Sequence, residues 1–217
     1  MTMLKSLRNI LPKLIWDMGA AAKHEYVKAK YLKGKRKYNP AETNKAKSRR
    51  EREKFFENYC SGKGLDIGFG GDPITPNAQG FDFEHGDAHF LEGIENESFD
   101  FVYSSHTLEH MVDPSAAIRN WFRVVKKGGY LIVFIPHRDL YEKRKTLPSN
   151  FNPTHKQFFL IDKDELPDTI GIVPFVKRTL ENAEIIYAKE CSEGYERISD
   201  DVQSRGEYSI EIVIKKI

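Results

Sequence analysis

Near the start of the chain, apolar residues recur at helical spacing: Leu4, Leu7, Ile10, Leu11, Leu14, Ile15 and Met18, with Lys5, Arg8 and Lys13 between them. That period predicts an amphipathic helix, broken or kinked at Pro12, which lacks the amide a helical turn requires. A second helical stretch follows from Met18 to Leu32, then a basic turn from Lys33 to Pro40. A third helix is predicted from about Ala41 to Tyr59, ending near Gly62. Beyond Gly62 the texture changes to short apolar runs separated by turns. Gly64–Ile67 reads as a strand entering a glycine turn, Gln79–Phe83 as a second strand, and Phe99–Tyr103 as a third. A helix follows from about His106. Another spans Pro114 to Val125, with proline in its first turn and Gly128-Gly129 past its end. Tyr130–Ile135 is a continuous apolar run closed by Pro136, as expected of a strand covered on both faces. Glu184–Lys189 and Tyr208–Ile214 read as a closing strand pair. Strands alternating with helices predict a doubly wound α/β fold with a mainly parallel sheet, an antiparallel C-terminal strand pair and a helical N-terminal extension.

Composition narrows the class. At 217 residues the chain suits one domain with an appendage, and 40% hydrophobic residues supply a packed core. Two cysteines, Cys60 and Cys191, are too few for a disulfide scaffold and lack metal-ligand spacing. No apolar run approaches the roughly 20 residues of a membrane span. Lys13 and Asp17 also spoil the start as a secretory signal, so a cytoplasmic protein is expected. The net charge of +2 hides an asymmetry: residues 1–55 hold 16 Lys+Arg and 5 Asp+Glu, and residues 56–217 hold 18 and 27. A basic extension, 1–55, on an acidic domain, 56–217, suggests two parts with different tasks. Three readings of the extension stand side by side: contact with an anionic membrane surface through its first helix, contact with nucleic acid, or packing on the sheet or a second subunit of a homodimer. Tyr26, Tyr31 and Tyr38 interleave the basic residues, but no recognised RNA-binding motif is present.

The first chemical constellation is Asp66-Ile67-Gly68-Phe69-Gly70-Gly71. Glycines at a strand's carboxyl end let the backbone bend sharply against a ligand, and open α/β sheets bind ligands there. A dinucleotide fingerprint needs a third glycine where Pro73 stands, and an acid about 20 residues on. Only 13 residues separate Gly68 from Asp82, too few for a crossover helix plus a strand. The lysine motif that grips phosphates is missing too. Asp82 can still accept hydrogen bonds from a ribose diol, which favours a nucleoside without phosphates.

Residues 64–136 resemble the class I S-adenosylmethionine-dependent methyltransferases, in particular the type 11-like domain. The resemblance is carried by Leu65-Asp66-Ile67-Gly68, by Ser98-Phe99-Asp100-Phe101-Val102-Tyr103-Ser104-Ser105-His106-Thr107-Leu108-Glu109-His110, and by Arg123-Val124-Val125-Lys126-Lys127-Gly128-Gly129, in that order. It implies a Rossmann-like sheet and S-adenosylmethionine as cofactor. Asp66, Gly68 and Gly70, with Phe69, would surround the methionine part; Asp82, with Phe83, would bind the ribose hydroxyls. Asp87 and Ala88 would read the adenine edge, with His85 and His89 flanking that loop, and Ser104 and His106 would lie beside the sulfonium. One departure from the family is the long helix between the first two strands, here cut to the turn Asp72–Ala78.

His106-x-x-Glu109-His110 also matches a zinc-hydrolase pattern. It follows a buried strand and shows no third ligand, so the preferred reading has Glu109 and His110 bracing the loop below the cofactor, with no metal. Methyl transfer to a hydroxyl needs an aligned nucleophile and a proton acceptor. His155, within Thr154-His155-Lys156-Gln157-Phe158-Phe159, is the first candidate base, ahead of His106 and His137, each weighed against a structural role. The resemblance puts a substrate lid over 137–160, and "TH..FF" is similar to an element of members that methylate hydroxyls. Arg138, Lys143, Arg144 and Lys145 beside it offer an anion site or simply a solvated face. The resemblance favours a sugar hydroxyl of a glycan or glycolipid precursor as acceptor, because compact members accompany surface-polysaccharide synthesis. RNA, another small hydroxylated molecule, and a catalytically silent binding module remain as alternatives.

Overall fold

The structure, a computed structural model, describes residues 42–217. The helices predicted over Leu4–Met18 and Met18–Leu32, the Pro12 break and the basic turn lie outside the described residues. The compact unit containing the described residues runs Pro40–Ile217. Among the described residues eight strands form: β1 (Gly64–Ile67), β2 (Ala78–Phe81), β3 (Phe99–Ser105), β4 (Val125–Pro136), β5 (Phe158–Leu160), β6 (Thr169–Gly171), β7 (Ala183–Cys191) and β8 (Ser209–Lys216). Six make one sheet in the order β2-β1-β3-β4-β8-β7, and β5-β6 form a separate parallel pair. β1 to β4 pair in parallel, β8 runs antiparallel to β4, and β7 antiparallel to β8. This is the Rossmann-like sheet with an antiparallel closing pair.

Alternation along each strand builds two cores. Val102, Leu131, Val133 and Ile135 face one side, covered by the helices Pro114–Arg123 and Ile172–Thr179 through Ile118, Trp121, Phe175 and Val176. Phe101, Tyr103, Ile132, Phe134 and Val213 face the other, against Phe55 and Cys60. Burying each such side chain contributes about 1.5–3 kcal/mol. Both faces are therefore spoken for, which is why Tyr130–Ile135 carries no polar alternation.

The segment read as one helix over 41–59 is three short ones: Glu42–Lys45, Lys47–Arg52 and Phe55–Tyr59. Lys54, at φ 54°, breaks the last two apart in the left-handed region. The boundary drawn from charge at residue 55 cuts through this set, because part of the basic excess is used internally. Arg49 and Arg50 are buried. Arg50 Nε donates to Glu211 at 2.7 Å and its Nη1 to the Tyr103 hydroxyl at 2.9 Å. Arg49 donates to both Glu207 and Glu211, and Tyr187 donates to Glu211 at 2.9 Å. Burial pushes the Glu211 carboxyl up, but the two guanidiniums outweigh it and hold it at about 2.

Three further boundaries differ from the sequence reading. The helix expected from His106 is a single tight turn, Leu108–His110. β2 ends at Phe81, so Asp82 caps the following turn instead of extending the strand. β4 begins at Val125 and runs through the two glycines; a Cβ on Gly129 would lie 2.4 Å from the Asp100 carbonyl oxygen. Between β1 and β2 there is a loop and no helix, as the 13-residue spacing implies. Among the described residues, no helix is long and apolar enough to cross a membrane.

Candidate functional site

β1 ends in a bend that only glycine fits well. Gly68 has φ +76°, and a Cβ there would meet Thr107 Oγ1 at 2.2 Å. Gly70 and Gly71 also have positive φ, at +58° and +88°, but face open space. The bend is pinned from both sides: the Gly68 amide donates to the Phe81 carbonyl at 2.8 Å, and the Gly70 amide to Asp82 Oδ2 at 3.2 Å. Asp82 Oδ1 accepts from the Phe83 amide at 2.9 Å, capping the turn Phe83–His85. Each carboxylate oxygen thus holds one backbone amide and keeps acceptor capacity. Phe69 lies on Gly80, whose Cβ would come within 2.5 Å of its ring. Asp66 accepts from the Ile74 amide at 2.6 Å, and its burial raises the carboxyl to about 7 despite that bond.

These elements border a cleft of about 930 Å³. Gly68, Asp82, Phe83, Asp87, Ala88 and His106 share its wall, so six of the residues singled out from sequence converge. Asp66, Phe69, Gly70 and Ser104 are not part of that lining, although Gly70 is tied to Asp82. Ser104 is buried, its hydroxyl without a hydrogen-bond partner among the described residues. Asp87 accepts from both the backbone amide and Nδ1 of His89, each at 2.8 Å; the amide bond leads in holding its carboxyl below the usual range. The Ala88 carbonyl accepts from the Trp121 indole at 2.8 Å, fixing this loop to the helix behind it. Phe83 stands almost fully exposed at the mouth, at 97%.

At the other end, four side chains gather. His106 has φ +50°, a rare conformation for a residue with a side chain. Its Nε2 bonds Ser209 Oγ at 2.9 Å, and burial, followed by the charge of His155, holds its pKa well below the usual histidine range. Glu109 is fully buried, with no hydrogen-bond partner on either oxygen among the described residues; burial raises its carboxyl to about 8. His110 lines the cleft and pairs Nδ1 with Thr154 Oγ1 at 2.9 Å. His155 lies behind it, with 4.8 Å between ring centroids. Its Nδ1 meets Glu142 Oε1 at 2.6 Å, and its ring stacks on Tyr141. The segment carrying His155 is strapped down by Gln157 Nε2 donating to the Leu108 carbonyl and by the Lys156 amide donating to the Glu109 carbonyl.

His137 does not join this group. It is buried at the end of β4, its Nε2 3.7 Å from Glu190, and burial lowers its pKa. Three of the four basic residues beside it are engaged: Arg138 is buried against Asp139 and Glu165, Lys143 donates to the Ser199 and Val202 carbonyls, and Arg144 donates to Asn150, while Lys145 is exposed. Sequence reasoning passed over Thr107, Met111, Thr154 and Lys156 in the cleft wall, and Glu142 behind His155. Thr107 and Lys156 each adjoin a flagged histidine, which was the available signal; Glu142 carried none.

The site fits S-adenosylmethionine. Asp82 retains lone pairs for a diol, and the Gly70-Gly71 stretch offers room where side chains would intrude. Residues 59–133 match the sequence profile of the family described as "Methyltransferase domain". No curated protein matches the chain in sequence. Among solved structures, a SAM-dependent methyltransferase from Archaeoglobus fulgidus is 17% identical, with a TM-score of 0.50 over 86% of this chain and 99% of that one. A protein solved for the conversion of a disulfide bond into a thioacetal group during echinomycin biosynthesis is 13% identical, with a TM-score of 0.51 over 79% and 81%. At such identities the likeness is one of fold, and the matched segment adds the methyltransferase domain over 59–133. Residues 59–133 therefore carry a methyltransferase domain on the fold of the S-adenosylmethionine-dependent methyltransferases, which implies S-adenosylmethionine as its cofactor.

Proposed function

We propose that the protein is an O-methyltransferase acting on a sugar hydroxyl of a glycan or glycolipid precursor. The observation that carries the oxygen acceptor is the histidine–glutamate group at one end of the cofactor cleft. A hydroxyl must lose its proton during transfer, whereas many other nucleophiles need only alignment. His155 is suited to take that proton: Glu142 fixes its Nδ1, which leaves Nε2 as the acceptor. His106, which lines the cleft, is the second candidate; His137, outside the lining as His155 is but without a neighbour in the group, is the weakest. When bound, S-adenosylmethionine supplies a methyl carbon activated by its sulfonium. In this reading Asp82, with Phe83, holds the ribose and Asp87 and Ala88 meet the adenine edge. Asp66, Gly68, Phe69 and Gly70 surround the methionine end, with Ser104 and His106 beside the sulfonium. The sugar as acceptor draws on the resemblance to compact family members. The same reading keeps residues 1–55 as an extension of the domain 56–217, with packing on the sheet or on a second subunit of a homodimer as its first role and contact of its first helix with an anionic membrane surface as the alternative.

Incubation with methyl-labelled cofactor and a panel of glycans, RNAs and small hydroxylated molecules tests the proposal. Label recovered on a sugar oxygen is the expected result. Label confined to RNA or to an amine overturns it.

A further inference from the structure

The sequence pattern His106-x-x-Glu109-His110 has no third ligand in its own neighbourhood, but the fold brings one from 45 residues downstream. His155 Nε2 and His110 Nε2 each lie 3.9 Å from Glu109 Oε1, and His106 Nδ1 lies 3.7 Å from the same oxygen. These distances are too long for hydrogen bonds. They are near the separation of ligands around a shared cation: donors about 2.1 Å from a tetrahedral ion stand about 3.4 Å apart. The ligand atoms of Glu109, His110 and His155 all fall within 4.8 Å of one another.

Two independent features argue that this convergence is a built site and not crowding. The first is Glu109 itself, fully buried with both carboxylate oxygens unpartnered among the described residues, although a buried polar group without a partner is costly. The second lies on the far side of each ring. His155 Nδ1 is held by Glu142, itself anchored by Ser149 Oγ at 2.6 Å. His110 Nδ1 is held by Thr154 Oγ1. Binding the outer nitrogen in this way fixes the tautomer and leaves the inner nitrogen's lone pair aimed at the centre, as in histidine ligands of metal sites. His110, Thr154 and Lys156 line the cleft, so the centre communicates with it.

We infer that Glu109, His110 and His155 hold a divalent first-row transition-metal cation at the acceptor end of the cleft. Two imidazoles and one carboxylate suit zinc, cobalt, iron or manganese; magnesium and calcium prefer all-oxygen shells. Three protein ligands leave a coordination position open toward the cleft, with His106 facing it from the side. The inference deepens the O-methylation reading and rests on it for its role: the acceptor hydroxyl takes the open position and its proton leaves to water in the cleft. The O–C bond then forms as the C–S bond breaks. With the cation bound, the Nε2 lone pair of His155 is a ligand pair, so water replaces His155 as proton acceptor while the oxygen acceptor of the proposed function is kept.

The test uses the full chain, stripped with a chelator and titrated with Zn²⁺ or Co²⁺ alone by calorimetry, with the visible absorption of bound Co²⁺ as the spectroscopic readout. One saturable equivalent is expected. It should weaken at least tenfold in Glu109→Gln and in His110→Ala, the second variant guarding against misfolding of the buried first. Absence of saturable binding by the folded wild type, or binding unchanged in folded His110→Ala and Glu109→Gln, overturns the site. Cation binding that persists while no oxygen acceptor is ever labelled refutes the O-methylation reading instead, so the two failures are distinguishable.

Discussion

Replacing Glu211 by glutamine removes one charge from the centre of the Arg49–Arg50 cluster while keeping shape and volume. Two routes give the size of the effect. The carboxyl is held at about 2 against an ordinary 4.5, a difference of roughly 2.5 units, or about 3 kcal/mol. Breaking a buried ion pair by neutralising one partner costs about 3–5 kcal/mol, because the other charge is stranded; here Arg50 would lose its carboxylate partner, with neutral oxygens of the glutamine and Tyr103 left to accept from it. A domain of this size loses about 2–4 °C of Tm per kcal/mol, so a fall of about 10 °C is expected at pH 7. The pH dependence carries a second signature. A depressed carboxyl stabilises the fold fully above its unfolded value and progressively less as pH falls toward its folded one. Wild-type stability should therefore drop between about pH 4.5 and 2, and the variant should lack this part of the drop. Thermal unfolding followed by circular dichroism across that range measures both. A Tm within 2 °C of wild type at pH 7, with an unaltered acid limb, would refute the reasoning.

Asp82→Ala should weaken S-adenosylmethionine binding about a hundredfold in calorimetry, equivalent to losing two charge-assisted hydrogen bonds of about 1.5 kcal/mol each; an unchanged isotherm would remove Asp82 from the cofactor site. Gly68→Ala, forced into a positive φ and onto Thr107, should lower cofactor affinity and Tm together, so an alanine protein of normal affinity would show the bend to be incidental. Asp66→Asn should stabilise the fold, because ionising a buried carboxyl raised to about 7 opposes folding as pH rises. That gain should grow by about 2 kcal/mol from pH 5 to pH 8, and a constant gain would contradict the assigned cause. Removing residues 1–33 should reduce partitioning onto anionic vesicles in a sedimentation assay, and equal partitioning would dismiss the membrane contact.

Local chemistry was legible in the sequence; chemistry assembled across the sheet was not. β1, β3 and β4 announce themselves because both of their faces are covered, and the Gly68 bend and Asp82 are written within one short stretch. The segment 41–59 reads as one helix because six basic residues from Lys45 to Lys54 look like a solvated stripe. Two of them are buried only because Glu207 and Glu211 arrive from the other end of the chain. The same holds at the site: nothing near His155 signals Glu142 as its partner, and nothing near Glu109 signals His155. β5 and β6, three residues each, are too short for any period to register.

The pairing of Arg49 and Arg50 with acids some 160 residues later has a consequence for biosynthesis. At about 5–20 residues per second, the ribosome delivers those acids roughly ten to thirty seconds after the arginines. Until Glu207 and β8 emerge, Arg50 has no carboxylate to pair with and Arg49 has only Glu53. The nascent protein must wait, with half its sheet unroofed, for nearly its last strand.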